Sequence, residues 1–158
     1  MKQKKRVSFI TVCLLVIGSL SHAQTGPQTY ISDYRASAQN GTIVYRLTEP
    51  ARIVITAPPP SDSKDFIRAP IGLVYVTSAS LTSPFTIKYL KKTNEKDGPT
   101  LWYVVINNNE VFDVIKVCNF KKATTVKGKV CTNDIILSKY GGENYPQFET
   151  HFLSEKVN

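Results

Sequence analysis

The side chains best suited to metal or nucleophilic chemistry beyond residue 23 are Cys118, Cys131 and His151. A zinc site needs four protein ligands, or three with a water, and this sequence has no CxxC, HExxH or paired-histidine motif. A nucleophilic triad needs a histidine oriented by a third group, and the G-x-S-x-G, P-loop and dinucleotide-binding signatures are also missing from the sequence. The sequence therefore predicts no metal, no cofactor and no histidine-based catalysis.

Carboxylates are the remaining catalytic resource, because a pair of them can hydrolyse a glycoside without histidine. Asp113 stands in the apolar run VFDVIKV, on the face that also carries Val111, Ile115 and Val117. That position predicts partial burial, and a buried acid is a candidate for proton transfer. The alternative is a carboxylate that only hydrogen-bonds a neighbouring strand. An enzyme based on carboxylates is accordingly the third function that we consider.

The first 23 residues have the pattern of a signal peptide. A basic start, MKQKKR, precedes the apolar run VSFITVCLLVIGSL, and Ser21 and Ala23 are small residues at the two positions that a signal peptidase reads. The run is shorter than the roughly 20 apolar residues of a membrane helix, and no later segment is apolar enough to span a bilayer. The sequence predicts cleavage after Ala23, export to the periplasm or the extracellular space, and a single domain over residues 24–158.

Loss of the signal peptide halves the apparent basicity of the chain. The formal net charge is +8, from 20 Lys and Arg against 12 Asp and Glu, but four of the basic residues lie in the first six positions. The remaining 135 residues would carry +4. A charge of this size favours solubility and does not point to nucleic acid as a partner.

Two cysteines in an exported chain predict a disulfide, Cys118–Cys131. If the two cysteines face each other across a hairpin, its tip lies at residues 123–126, and alternation puts both cysteines on the solvated face with the lysines. This basic face has two interpretations: a charged surface that deters edge pairing, or a finger that contacts an acidic partner or an anionic glycan. The lysines of the candidate finger are Lys121, Lys122, Lys127 and Lys129.

Most of the chain after the signal peptide alternates apolar and polar residues with a period of two, as in RIVITA and FTIKYLK, which predicts half-buried strands. Asn40-Gly41 and Glu49-Pro50 predict turns between them. We predict a single all-β domain with little helix, either an antiparallel sandwich or a small up-and-down barrel of about seven to nine strands. The segments ISDYRASAQ and PQFETHFLSEKVN are each compatible with a short helix or a strand.

The one long irregular stretch is APPPSDSKDFIRAP, residues 57–70. Three consecutive prolines favour an extended, preset backbone, and long loops in compact domains often carry function. Phe66 and Ile67 could anchor a partner here, flanked by Lys64 and Arg68. The alternative is that Phe66 folds back onto the core and the prolines only connect two strands.

These features favour an exported, non-catalytic binding module that holds a protein, a small molecule or a glycan at a loop end or in a cavity. The alternative is a secreted inhibitor or immunity-type protein that acts on an enzyme through the proline-rich loop or the basic hairpin. An aromatic-lined cavity would favour the first hypothesis, and a solid barrel with a protruding loop the second. The aromatic residues of the middle strands, which would form either core or ligand platform, are Tyr75, Tyr89, Trp102 and Tyr103.

Overall fold

A computed structural model describes residues 26–56, 71–106, 111–140 and 146–157 of the protein. Each strand is antiparallel to the next, and β1 pairs with β8 to close an eight-stranded up-and-down barrel. The predicted all-β fold is confirmed, in its barrel form. No helix in these four ranges is long and apolar enough to cross a membrane. The strands are β1 (Gln28–Gln39), β2 (Thr42–Ile55), β3 (Ile71–Thr77), β4 (Thr82–Glu95), β5 (Gly98–Val105), β6 (Val114–Val126), β7 (Lys129–Tyr140) and β8 (Pro146–Lys156).

Side chains from all eight strands fill the interior of the barrel, as expected of a barrel with this number of strands. Tyr89 and Tyr103 pack edge to face, with ring centroids 5.8 Å apart, and both are buried. These two aromatic residues belong to the core, whereas Tyr75 is 42% exposed on the outer surface. The inward-facing set includes Tyr30, Ile53, Ile55, Val74, Val76, Phe85, Ile87, Tyr89, Tyr103, Ile115, Val117, Ile135, Leu137 and Phe152.

The two segments that were compatible with helix or strand are both strands, β1 and β8, and they pair with each other to close the barrel. In β8, Thr150, Phe152 and Ser154 are buried at every second position. That period of two matches a strand with one face in the core. Pairing on both sides satisfies the backbone hydrogen bonds of β1 and β8, so the helical alternative has no advantage here.

The predicted turn at Glu49-Pro50 is wrong, because β2 runs without interruption through both residues. In the register with β1, Glu49 and Pro50 lie opposite the single residue Asp33. Such a bulge accommodates a proline, which has no N–H to donate to the ladder. Glu49 is buried and makes side-chain contacts of its own, with Arg35 and Ser80.

Two turns are confirmed, the one predicted at Asn40-Gly41 and one that the residues Asp97-Gly98-Pro99 also predict from the sequence. Asn40 and Gly41 connect β1 to β2 with φ values of 47° and 76°, the left-handed pair that a tight hairpin requires. Asp97 and Gly98 lie at the turn between β4 and β5, and Gly98 has a φ of 148°. This second turn touches β6, because the backbone N–H of Lys121 donates to the carbonyl of Asp97 at 2.7 Å.

Candidate functional site

The hairpin of β6 and β7 bends where its register shifts. Asn119 pairs with Asn133, and the next pair is Thr124 with Cys131, so residues 120–123 of β6 lie opposite one residue of β7. An insertion of this kind interrupts the ladder and lets a strand change direction. The hairpin ends at a two-residue turn, Lys127-Gly128, with φ values of 47° and 83°.

The tip of this hairpin lies against the outer surface of β1. The ammonium group of Lys127 is 5.3 Å from the centroid of the Tyr34 ring, which is a cation–π distance. The ammonium group of Lys129 is 3.4 Å from a carboxylate oxygen of Asp33. The two contacts seat the tip on neighbouring residues of one strand.

A groove of about 480 Å³ lies between the seated tip and the outer surface of the barrel, and we call it the tip groove. The surface that faces the groove is mostly apolar, although five of its ten lining residues have acidic or basic side chains. Strands β1, β2, β6, β7 and β8 and the Lys127 turn contribute to it. The lining residues are Tyr34, Arg35, Ala36, Ile43, Arg46, Val126, Lys127, Asp134, His151 and Leu153.

The strand register explains how residues far apart in sequence meet in this groove. Ala36 of β1 pairs with Arg46 of β2 on one side and with His151 of β8 on the other. One step along the barrel, Leu153 of β8 pairs with Tyr34 of β1 and with Asp134 of β7. Paired residues point to the same face of a sheet, so both rows point outward, toward the hairpin tip.

Four charged side chains of alternating sign continue from the groove across the outer face of β6, β7 and β8. His151 lies between two carboxylates, with Nδ1 2.9 Å from Asp134 and Nε2 3.5 Å from Glu149. Lys116 Nζ is 2.9 Å from the other oxygen of Glu149, which also accepts a hydrogen bond from Ser138. We call Lys116, Glu149, His151 and Asp134 the charge chain, and its formal charge is zero when all four groups are ionised.

The charge chain holds His151 in its protonated form. Burial alone would lower the pKa of His151, but the hydrogen bonds and charges of Asp134 and Glu149 outweigh it and raise the pKa to about 9. Burial would likewise raise the pKa of Glu149, and its hydrogen bonds with His151, Lys116 and Ser138 instead lower it to about 2. An imidazolium that is fully charged at neutral pH is a poor general base.

We expect the stability of the protein to fall as the pH rises through the pKa of His151. A group whose pKa is raised by folding, here from 6.5 to about 9, stabilises the protein fully below pH 6.5 and loses that contribution as the pH passes 9. The loss is on the order of 3 kcal/mol. Urea unfolding at intervals between pH 6 and pH 10 measures it.

The matched variant for this prediction is His151→Gln, because His151 is the only histidine after residue 22. Glutamine keeps a polar side chain between the two carboxylates and does not titrate in this range. We expect its unfolding free energy to vary much less with pH between 6 and 10. Parallel pH curves for the two proteins would contradict the assigned pKa.

The predicted basic finger exists in part, but its tip is not free. Lys121 and Lys122 are exposed in the bulge, and Lys121 Nζ donates to the carbonyl of Lys96 at 3.1 Å. Lys127 and Lys129 contact β1 as described above. The predicted tip at residues 123–126 is wrong, since the turn lies at Lys127-Gly128. The other four predicted contact residues, Lys64, Phe66, Ile67 and Arg68, lie outside the described residues.

The predicted disulfide is also wrong, because Cys118 and Cys131 are free thiols. The turn lies at Lys127-Gly128 instead of within residues 123–126, so Cys131 pairs with Thr124, and beyond the bulge Cys118 pairs with Asp134. Cys131 is buried, in contrast to the solvated face on which it was expected. Burial raises the pKa of Cys118 to about 11, so its thiol is protonated at neutral pH and is a weak nucleophile.

Asp113 hydrogen-bonds a neighbouring strand, which is the second of the two roles predicted for it. One carboxylate oxygen accepts a hydrogen bond from the backbone N–H of Tyr140 at 2.8 Å, and the other is 3.1 Å from Lys139 Nζ. The side chain is 41% exposed. It therefore anchors the end of β7.

Of the residues that line the tip groove, the sequence singled out only Lys127, as part of the basic finger, and His151, as a lone histidine. The sequence contained one signal. His151 lies between buried residues of β8, and Asp134 lies between buried residues of β7, and both side chains are ionisable. Charged residues at outward positions are normal in a half-buried strand, so this pattern by itself does not locate a site.

Comparison with known proteins adds no relative. No family model, no curated protein and no solved structure matches this chain. Within the ranges that the structure describes, no group of three or more histidine, cysteine, aspartate or glutamate side chains could hold a metal ion. The groove must therefore be interpreted from its own geometry and charge.

Proposed function

We propose that this protein is a small exported, non-catalytic binding module, and that it holds its ligand in the tip groove. The observation that carries the proposal is the groove itself, whose volume of about 480 Å³ falls in the range typical of small-molecule sites, roughly 300–1,000 Å³. A mostly apolar lining with a few charged groups is also typical of such sites. Export rests on the signal-peptide pattern of the first 23 residues.

The alternative, an inhibitor that inserts a loop into an enzyme, has less support. The barrel interior is filled, which the inhibitor hypothesis expected, but the basic hairpin lies against β1 through Lys127 and Lys129 instead of projecting. The proline-rich loop, its other candidate wedge, lies outside the described residues. The groove provides a specific site for the binding module, and the described residues contain no comparable feature that supports the inhibitor.

Filling the groove should abolish binding of a small apolar probe. Ala36 lies on the floor of the groove and Ile43, which is 47% exposed, also lines it. We expect Ala36→Trp and Ile43→Trp each to weaken binding of anilinonaphthalene sulfonate or its neutral analogue phenylnaphthylamine about tenfold or more, because the new indole occupies the ligand volume. Fluorescence titration of the probe gives the dissociation constant.

The control is Thr77→Trp, which adds the same side chain at an exposed position of β3 that does not line the groove. It should leave probe binding unchanged. Urea unfolding of all three variants checks that the barrel is intact, and Ile43→Trp is expected to be well tolerated because its position is exposed. The proposal fails if the wild-type protein binds neither probe saturably, or if the groove variants bind as well as Thr77→Trp.

A further inference from the structure

We infer that the ligand of the tip groove is a small amphipathic anion, with an apolar body on the floor of the groove and one acidic group that contacts Arg46 and Lys127. The inference rests on the proposed function and adds the chemical class of the ligand. It follows from which charges in the lining are already neutralised and where the remaining ones lie.

Most charged groups of the lining have a partner of opposite sign. His151 and Asp134 neutralise each other within the charge chain. Arg35 is 3.1 Å from the buried carboxylate of Glu49. These pairs leave little net charge for a ligand to meet.

Arg46 and Lys127 are the exceptions. Both are exposed, and within the described part of the chain no carboxylate lies within ion-pairing distance of either. The contact of Lys127 with the Tyr34 ring holds the ammonium at the groove without neutralising its charge. The groove therefore carries two positive charges that lack a counterion from the described residues.

The two cations come from different elements, β2 and the Lys127-Gly128 turn, and apolar side chains lie beside them in the groove. Arg46 pairs in register with Ala36, and Lys127 lies over Tyr34, whose own partner in β8 is Leu153. Ala36, Tyr34 and Leu153 present a methyl group, a ring face and an isobutyl group to the groove. An apolar body suits this floor, and a carboxylate, phosphate or sulfonate suits a groove that is lined by both a guanidinium and an ammonium.

Other ligand classes fit less well. A cationic ligand would meet two like charges, and a neutral apolar ligand would leave both without a counterion. The acidic side chain of the groove is Asp134, whose Oδ2 accepts from His151 at 2.9 Å and whose Oδ1 is buried, so neither oxygen is presented to a cation. Charge complementarity thus selects an anion, and the apolar floor selects an amphipathic one.

Two fluorescent probes that differ by one acidic group test the inference. Anilinonaphthalene sulfonate carries a sulfonate on the aromatic body that phenylnaphthylamine presents without charge. We expect wild-type protein to bind the sulfonate about tenfold more tightly or better. Arg46→Gln and Lys127→Gln should each weaken sulfonate binding about fivefold and leave the neutral probe unchanged. Raising the salt concentration should reduce the preference, since these cations are exposed.

Matched controls are available on the same two elements. Arg52 is an exposed arginine of β2 and Lys122 an exposed lysine of β6, and neither lines the groove. Arg52→Gln and Lys122→Gln remove the same charges from the protein as the test variants. They should leave the affinity ratio of the two probes at its wild-type value.

The outcomes separate this inference from the function on which it rests. If both probes bind equally tightly and Ala36→Trp weakens the binding of both, the groove binds ligands but the inference of an anionic ligand is wrong. If the control variants lower the ratio as much as the test variants do, the preference comes from overall charge, and the inference is again wrong. If Ala36→Trp and Ile43→Trp affect neither probe, the proposed function fails and the inference fails with it.

Discussion

Replacement of Gly98 by alanine is expected to destabilise the barrel on the order of 4 kcal/mol. A Cβ at this position would lie 1.8 Å from the carbonyl oxygen of Asn119 and 3.1 Å from the backbone nitrogen of Lys121. The φ of 148° is also one that residues with a side chain rarely adopt. Because the opposing atoms are backbone, the β4–β5 turn and the bulge of β6 would have to separate. Urea unfolding at neutral pH measures the loss.

Gly41→Ala separates the two causes of this loss. Gly41 has a φ of 76°, but a Cβ there would meet no heavy atom within 4 Å. It should therefore show only the conformational cost, about 1 kcal/mol. An equal loss for the two variants would contradict the close contact between Gly98 and Asn119.

Disturbing the close contact between Gly98 and Asn119 should also affect ligand binding in the tip groove. The bulge at residues 120–123 redirects the hairpin, and the Lys121 N–H bond to Asp97 holds it against the β4–β5 turn. We therefore expect Gly98→Ala, where it folds, to bind the anionic probe more weakly than Gly41→Ala. We thus expect the tip groove to depend on backbone packing between the β4–β5 turn and the bulge of β6.

Breaking the buried pair of Arg35 and Glu49 is the second change with a large expected effect. Burial would raise the pKa of Glu49, but hydrogen bonds from Ser80, Ser78 and Arg35 lower it to about 2. Glu49→Gln removes the carboxylate that lies 3.1 Å from the Arg35 guanidinium and breaks this ion pair. Removing one partner of a buried pair costs roughly 3–5 kcal/mol.

A double-mutant cycle tests whether this cost belongs to the pair. Arg35→Met and Glu49→Gln should each destabilise strongly, and the double variant should lose clearly less than the sum, because no uncompensated charge is left. The comparison is the exposed pair Lys129–Asp33, whose side chains are 67% and 34% exposed. Lys129→Gln should cost at most about 1 kcal/mol. Additive losses at Arg35 and Glu49 would contradict a direct ion pair.

The strands and many of their inward faces could be predicted from the sequence. Phe85, Ile87 and Tyr89 alternate with polar residues, and all three are buried. Asn40-Gly41 specified its hairpin, since few residue pairs adopt two left-handed φ values in succession. Alternation and φ preference are local properties, so a single segment carries the information.

The tip groove could not be predicted, because it depends on the register between segments that are distant in sequence. The expected pairing of Cys118 with Cys131 assumed a turn at residues 123–126, but the turn lies at Lys127-Gly128, and a bulge of four residues of β6 opposite one of β7 makes the ladder irregular. That bulge is held by the turn at Gly98, which lies 20 positions before Cys118.

The sequence by itself determined an all-β chain with most of its strands, its first hairpin and much of its core, because those follow from residue type and a period of two. The tertiary structure decided that β1 and β8 close a barrel, since closure pairs the two ends of the described chain. It also placed His151 between Asp134 and Glu149, and Arg46 and Lys127 on one groove. Charge and shape at this site arise only when separate strands are brought into register, and no single segment contains them.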